Sequence, residues 1–517
     1  MPRLAALLRD DRVVLAGLLL VAAALRLVDL PTRGTWDSDQ GHDMLILRAL
    51  IRDGEVPLLG PPTSIGDVHH GAWYYYLLAP SAVLGGASPE AIALTIALAG
   101  VAAVGVTWWV GRALGGPIAG LVAGLAMAVS ASAIEESTFI WNPNLIPLSS
   151  SLALAGAVAG WRSGRAGWWL LAALGLVLTM QLHVLGLVFA VPFAALFVAD
   201  LLGRRGSPAE RPPMVLVALG CVAVLGVAYL PLVVHELATG FSETEAFLAY
   251  LREDREAAAL GLPARILFVA IRTLSWPLTG LVTDALGPAV LVSAVVITVL
   301  AWRSRAGGDP ERTFVRWMAA TLAWCAASLA LIAPSLATVV PGLPNDHYHA
   351  FLDPIVFVVV GLGAAGAWRT RPAARTLTAV ARGCVVVALG ALVLFNASIW
   401  PPAIAYDHGW PAAREAAERV ERAAGSRDLA LVGIPDFKPT DAIAFPLVDR
   451  GMRVVDQGQA GALVVVCDRF FEEVVGADCG GPAEEAAVGT SGRFATLVDR
   501  FDASPRTSVS VYVARDE

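Results

Sequence analysis

The chain has 517 residues, of which 56% are hydrophobic and only 16% charged, and its mean hydropathy is +0.65. Soluble domains carry about 25% charged residues, so this composition excludes a soluble globular protein and describes an integral membrane protein. A net charge of −7, with no basic stripe interleaved with aromatics, excludes a nucleic-acid partner.

A bilayer core needs about 20 apolar residues per helix. Runs at 12–30, 89–111, 117–134, 144–161, 167–181, 184–201, 214–234, 286–302, 317–334, 351–368 and 384–400 give about eleven spans. The run at 167–181 is short, and the apolar patches at 72–86 and 262–283 read as interfacial or re-entrant. The first run has the look of a cleavable signal. Arg26 interrupts its small-residue end, however, and Asp10 and Asp11 precede it, which favours a retained helix.

Arginines set the orientation. With the N-terminus in the cytoplasm, the segments GRALGG, WRSGRAGW, LLGRRGSPAERPP, WRSRAGGDPERTFVR and WRTRPAARTLTAVAR fall inside, and each carries Arg. Three of the intervening outer loops, around 131–143, 182–183 and 335–350, carry none. This positive-inside pattern predicts a multi-pass plasma (inner) membrane protein with residues 1–400 in the membrane and both the 31–88 loop and the tail outside. The tail, 401–517, shifts to mixed composition. WPAAREAAERVERAAG reads as an amphipathic helix, and DLALVGIP, MRVVD, ALVVVCD and SVSVYVA as short strands, so a small extracytoplasmic α/β domain is expected. Its placement outside predicts a Cys467–Cys479 disulfide, against the alternative of two reduced thiols. With neither a Cys-x-x-Cys pair nor an HExxH run, no structural zinc is expected.

The loop at 31–88 is long for a connection and opens on GTWDSDQGHDMLILRAL. Asp39 lies one helical turn from both His42 and Asp43, so all three can face one cavity. A carboxylate at the water edge of a bilayer can act as general base toward a hydroxyl; the alternative is a helix cap, as W-D-S-D suggests. Further along, HHGAWYYYLLAP carries His69, His70 and a Trp-Tyr-Tyr-Tyr run that suits the headgroup layer. Two other outer segments are polar where they meet a span. In ESTFIWNPNLIPLSSSLAL, Asn142 and Asn144 start a helix behind Pro143. In PGLPNDHYHAFLDPIVF, His347 stands in an Asp-His-Tyr-His cluster, where an imidazolium or an imidazole N–H can meet a phosphate, or which is simply a solvated loop. His183 falls between two spans at the outer surface, a position where a polar residue is a functional candidate.

Together these residues resemble the GT-C superfamily, and within it the branch of the protein O-mannosyltransferases and the lipid A aminoarabinose transferase. That branch has an Asp–Glu pair after the first span; here Asp39–Gln40 stands in its place. It also has an HPPLG or KPPLxYW segment, where this chain has HHGAWYYYL, and RALGGPIAGLVAGLAMAVS resembles the following hairpin. Gln40 for Glu, and Asn144 where relatives often carry Asp, are departures. The resemblance covers residues 10 to 200, and the rest by architecture.

It implies a GT-C type transmembrane glycosyltransferase that takes sugar from a polyprenyl-phosphate donor and passes it to a glycan, lipid or protein acceptor outside. In that reading Asp39 is the base, with Asp37 as cap or substitute base. His69, His70, Arg48, Asn144, His183 and His347 are the candidates to meet donor phosphate or substrate. Inversion is expected, with no cofactor and a divalent metal optional at most. The rival is a transporter or flippase of lipid-linked sugars, which would distribute polar groups through the mid-bilayer.

Overall fold

The computed structural model describes residues 10–63, 68–204, 211–252, 260–280, 286–338, 346–369, 375–436, 439–472, 476–489 and 493–514. The arginine-bearing stretches at 205–210 and 370–374 and the outer-loop stretch 339–345 lie outside them. The membrane part contains helices α1 (Asp11–Leu27), α2 (Ser38–Arg52), α3 (Trp73–Gly85), α4 (Pro89–Val129), α5 (Ile146–Ser163), α6 (Trp168–Leu182) and α7 (Leu187–Gly203). It continues with α8 (Arg211–Thr239), α9 (Ser242–Arg252), α10 (Leu262–Thr279), α11 (Leu286–Ala306), α12 (Asp309–Ile332), α13 (Asp353–Arg369) and α14 (Arg375–Ser398).

Among the described residues, eight helices are long and apolar enough to cross a membrane, where about eleven spans were expected. The difference is one of length and connection. α1 has 17 residues and α6 only 15, and the expected spans 89–111 and 117–134 are the two limbs of α4, counted there as one helix. Gly116 breaks α4 with φ 78°, a left-handed conformation that costs glycine nothing, and Pro117 restarts the helix. The limbs fold back on each other and pack against α13, whose apolar face is the most deeply buried in the bundle. Within the patch at 262–283, Leu262–Thr279 forms α10, a full helix carrying the buried Arg272.

Arg26, the residue that argued for a retained first helix, is buried at the end of α1. Its guanidinium donates to the carbonyls of Ala128 (3.0 Å) and Met127 (3.2 Å), in the last turn of α4 where intrahelical donors run out, and to that of Ala133 (3.4 Å) just beyond it.

The tail holds α15 (Gly409–Ala424), β1 (Leu429–Ile434), α16 (Asp441–Asp449), β2 (Ala462–Asp468), α17 (Pro482–Gly489), β3 (Phe494–Asp502) and β4 (Thr507–Ala514). The sheet order is β1-β2-β4-β3, with β1 and β2 parallel and the other pairs antiparallel. MRVVD, expected as a strand, supplies only a single bridge, Val454 to Leu429. β3 carries no period-two signal: it is an edge strand whose side chains are mostly exposed, with apolar and polar residues that do not alternate. Cys467 and Cys479 are joined by a disulfide with their Cα atoms 5.6 Å apart.

This domain sits directly on the start of α2. Trp36 packs against Trp410 and Phe445 at ring distances of 4.6 and 5.8 Å. Asp407 accepts from the Trp36 and Gly409 backbone N–H groups, and Ser38 Oγ donates to the Pro439 carbonyl. Gly41 is required by the contact, since a Cβ there would fall 2.1 Å from the Asp441 carbonyl oxygen.

Candidate active site

The acids are placed by helix grammar. Asp37 is the N-cap of α2: its carboxylate accepts the Ser38 N–H, while Gln40 Oε1 accepts the Asp37 N–H at 2.8 Å, completing a capping box. Asp37 is thus a cap, one of the two roles expected of it. Gln40 has a second bond, from Nε2 to the Ile140 carbonyl at 2.8 Å. With Asp37 capping, Asp39 falls in the first turn on the exposed face. Asp43, one turn on, is buried and accepts the hydroxyls of Tyr74 (2.8 Å) and Tyr75 (2.9 Å).

Tyr74 and Tyr75 are therefore not headgroup anchors. They are buried in the α2–α3 contact because Asp43 needs their hydroxyls. Burial pushes the Asp43 carboxyl up to about 7, against the lowering effect of the two tyrosines. His42 turns the other way, to Asp441 of the α/β domain at 3.2 Å, a hydrogen bond that raises its pKa.

The histidines come together from distant segments. Residues 60–63 pair antiparallel with residues 68–71, the Gly60 N–H on the His70 carbonyl and the His70 N–H on the Pro61 carbonyl. Adjacent residues of such extended chain point to opposite sides, so His69 and His70 part company. His69 turns to α9, where Glu243 accepts from its backbone N–H (2.8 Å) and pairs with its Nδ1 (2.9 Å). His70 turns inward to His183, ring centroids 4.7 Å apart; His183 lies 5.6 Å from His347 and 5.1 Å from Tyr348.

The backbone decides the tautomers. His70 Nδ1 accepts the Val184 N–H (3.3 Å), and His183 Nδ1 accepts the Leu185 N–H (3.2 Å). An accepting Nδ1 carries no proton, which leaves each Nε2–H as a donor. Burial, reinforced by the neighbouring imidazole, holds both rings well below the ordinary imidazole pKa. The pair therefore presents neutral N–H groups rather than imidazolium charge.

One short strap joins acids to histidines. In the segment Phe139–Asn144, Ile140 receives Gln40, the Trp141 ring lies 4.3 Å from His347, and Asn142 Nδ2 donates to the Leu182 carbonyl beside His183. Asn144 is buried behind it, its Nδ2 donating to the Phe139 carbonyl, and shapes the strap. Arg48 does not reach the cluster. It faces α16, 3.9 Å from Asp449 and 3.3 Å from the Val448 carbonyl. Trp141, and the pairing of Asp43 with Tyr74 and Tyr75, are what the sequence did not single out. Among the described residues, the metal-type cluster Cys467, Glu472 and Cys479 has its two sulfurs tied in the disulfide.

No family model and no curated protein matches the chain. Solved structures do. ArnT from Cupriavidus metallidurans, a lipid A aminoarabinose transferase, superimposes with a TM-score of 0.61 at 15% identity, covering 96% of this chain and 97% of that one in the apo state. This is the GT-C fold. The same protein bound to undecaprenyl phosphate matches equally, over 97% of this chain and 98% of that one. The Archaeoglobus fulgidus oligosaccharyltransferase AglB, in complex with an inhibitory peptide and a dolichol-phosphate, gives 0.51 at 11% identity over 89% and 69%. The arabinofuranosyltransferase AftD from Mycobacteria gives 0.51 at 15% identity, over 96% of this chain but 40% of that one. The GT-C fold thus extends through the tail, beyond the first 200 residues on which the sequence resemblance rested.

Proposed function

We propose that this protein is a membrane glycosyltransferase. It moves a sugar from a polyprenyl-phosphate carrier to an acceptor hydroxyl on the extracytoplasmic face, inverting the anomeric carbon, with Asp39 as general base. One observation carries the reading: an acid-bearing helix start and a pair of neutral imidazole N–H donors share a single strap in a GT-C fold. The undecaprenyl phosphate and dolichol-phosphate held by the neighbours support a lipid-phosphate donor, and the three arginine-free outer loops, set against Arg in every inner segment, support the orientation.

In this mechanism the donor phosphate lies against the Nε2–H groups of His70 and His183, with His347 beside them. Hydrogen bonds to a charged acceptor contribute about 1.5–3 kcal/mol each, so neutral rings suffice. Asp39 takes the proton of the acceptor hydroxyl as its oxygen attacks C1 from the side opposite the phosphate. The C1–O bond breaks, and the phosphate departs with its electron pair as an anion, so no strong general acid and no metal is required. Asp43, clamped by Tyr74 and Tyr75, keeps the start of α2 in place.

The test offers the purified full-length protein in nanodiscs a panel of polyprenyl-phosphate monosaccharides, with and without chelator. One sugar should be consumed with inversion, unaffected by chelator. Asp39→Asn should insert and fold normally yet transfer nothing; near-full activity would remove Asp39 as the base. A donor carried across the bilayer but never consumed would sink the enzyme reading in favour of transport.

A further inference from the structure

Far from the histidines, helix ends surround a cavity of ≈ 550 Å³. Trp108, Trp109 and Arg112 line it from the first limb of α4, Arg162 from the end of α5, Trp168 from the start of α6 and Asp11 from the start of α1. α6 runs from Trp168 to Leu182, and 15 residues at 1.5 Å make about 22 Å. The cavity and His183 are therefore at opposite ends of one helix.

The lining has a definite chemistry. Arg112 is ion-paired with Asp11, whereas Arg162 is exposed and has no ion-pair partner among the described residues. One positive charge is left uncompensated at the mouth. Trp109 and Trp168 are 39% and 43% exposed, and indoles favour the boundary between headgroups and acyl chains. Below Trp168, Leu170 and Leu174 expose an apolar track one turn apart along α6.

We propose that this cavity binds the phosphodiester headgroup of an anionic phospholipid from the leaflet opposite the histidine cluster. Arg162 meets the phosphate with its planar fork of donors, and the Arg112–Asp11 pair closes the inner wall. The two indoles flank the glycerol, and the acyl chains follow Leu170 and Leu174 into the bilayer. The proposal is independent of the transfer reaction.

The test follows the melting temperature of the purified full-length protein in neutral detergent as phosphatidylglycerol is added. Phosphatidylcholine, a polyprenyl phosphate and inorganic phosphate are separate arms. Phosphatidylglycerol should raise the melting temperature saturably and the other three should not. Arg162→Ala should weaken the midpoint about tenfold or more, the loss of one charged hydrogen-bonding group. Arg165→Ala, which removes an exposed arginine outside the cavity, should leave it unchanged. Ala159 lines the cavity from α5, and Ala159→Trp, which fills it, should abolish the response even if Arg162→Ala proves unstable. Unchanged titration of Arg162→Ala or Ala159→Trp overturns the site. An equal response to phosphatidylcholine overturns the charge selectivity, and one to polyprenyl phosphate or inorganic phosphate overturns the assigned source.

Discussion

The two sides of the candidate site are built by different means. The acids sit within seven consecutive residues and are oriented by a capping box, so Asp39 faces water at a helix start. The histidines come from positions 70, 183 and 347, and only tertiary packing assembles them. One side is local and hydrated; the other is distant in sequence and desolvated. That division suits a reaction in which a base must ionise in water while a lipid phosphate meets donors away from it. It also explains why the imidazoles of His70 and His183 are neutral: burial disfavours the charged ring.

The comparison breaks most directly at Asp39. Asp39→Asn should lower transfer by about 10²–10⁴-fold, the range of a positioned base, with the melting temperature unchanged. Retained turnover in nanodiscs would strip the hydrated side of its function.

On the desolvated side, His70→Ala and His183→Ala should each cost about ten- to a hundredfold in kcat/KM for the lipid-linked donor. His70→Gln sharpens the point, because its amide retains an N–H donor near the Nε2 position but can never carry an imidazolium charge. Gln should therefore recover much of the loss. If Gln is as poor as Ala across pH 6 to 8, neutral donation is the wrong account.

Tyr74→Phe and Tyr75→Phe test the clamp behind the base. Asp43 has its pKa raised by burial to about 7. A raised carboxyl binds its proton more tightly folded than unfolded, so its contribution is present at low pH and lost as pH rises through about 7. Above that value the buried carboxylate depends on both hydroxyls. Each Phe variant should therefore cost about 1.5–3 kcal/mol at pH 8 and less at pH 6, read as melting temperatures in detergent. A cost that does not vary with pH would contradict an Asp43 that titrates in this range.

The smallest effect belongs to His42. Its pKa is raised by the hydrogen bond to Asp441, so the stabilisation is complete below the unfolded value of about 6.5 and fades as pH rises through the folded one. His42→Ala should lower the melting temperature at pH 6 and scarcely at pH 9. Partial exposure keeps the difference under about 1 kcal/mol.

Much of this architecture was legible in the residues, and the exceptions share a cause. Apolar runs marked the helices because each is long enough to meet lipid, and W-D-S-D announced the cap because capping is decided within four residues. Tyr74 and Tyr75 were read as headgroup anchors, since an aromatic run carries no sign of a carboxylate 31 or 32 positions earlier. His69 and Arg48 passed as phosphate ligands because neither Glu243 nor Asp449 is near them in sequence.

By itself, the order of residues determined what is short-range: composition, helix lengths, the cap at Asp37 and the exposure of Asp39 that follows from it. The folded chain alone decided which histidine turns inward, which tautomer each ring adopts, and that Asp43 is clamped rather than free. The physical reason is the same in each case. A propensity or a cap acts over one helical turn, whereas burial and hydrogen-bond partnership depend on neighbours that only the packed chain brings together.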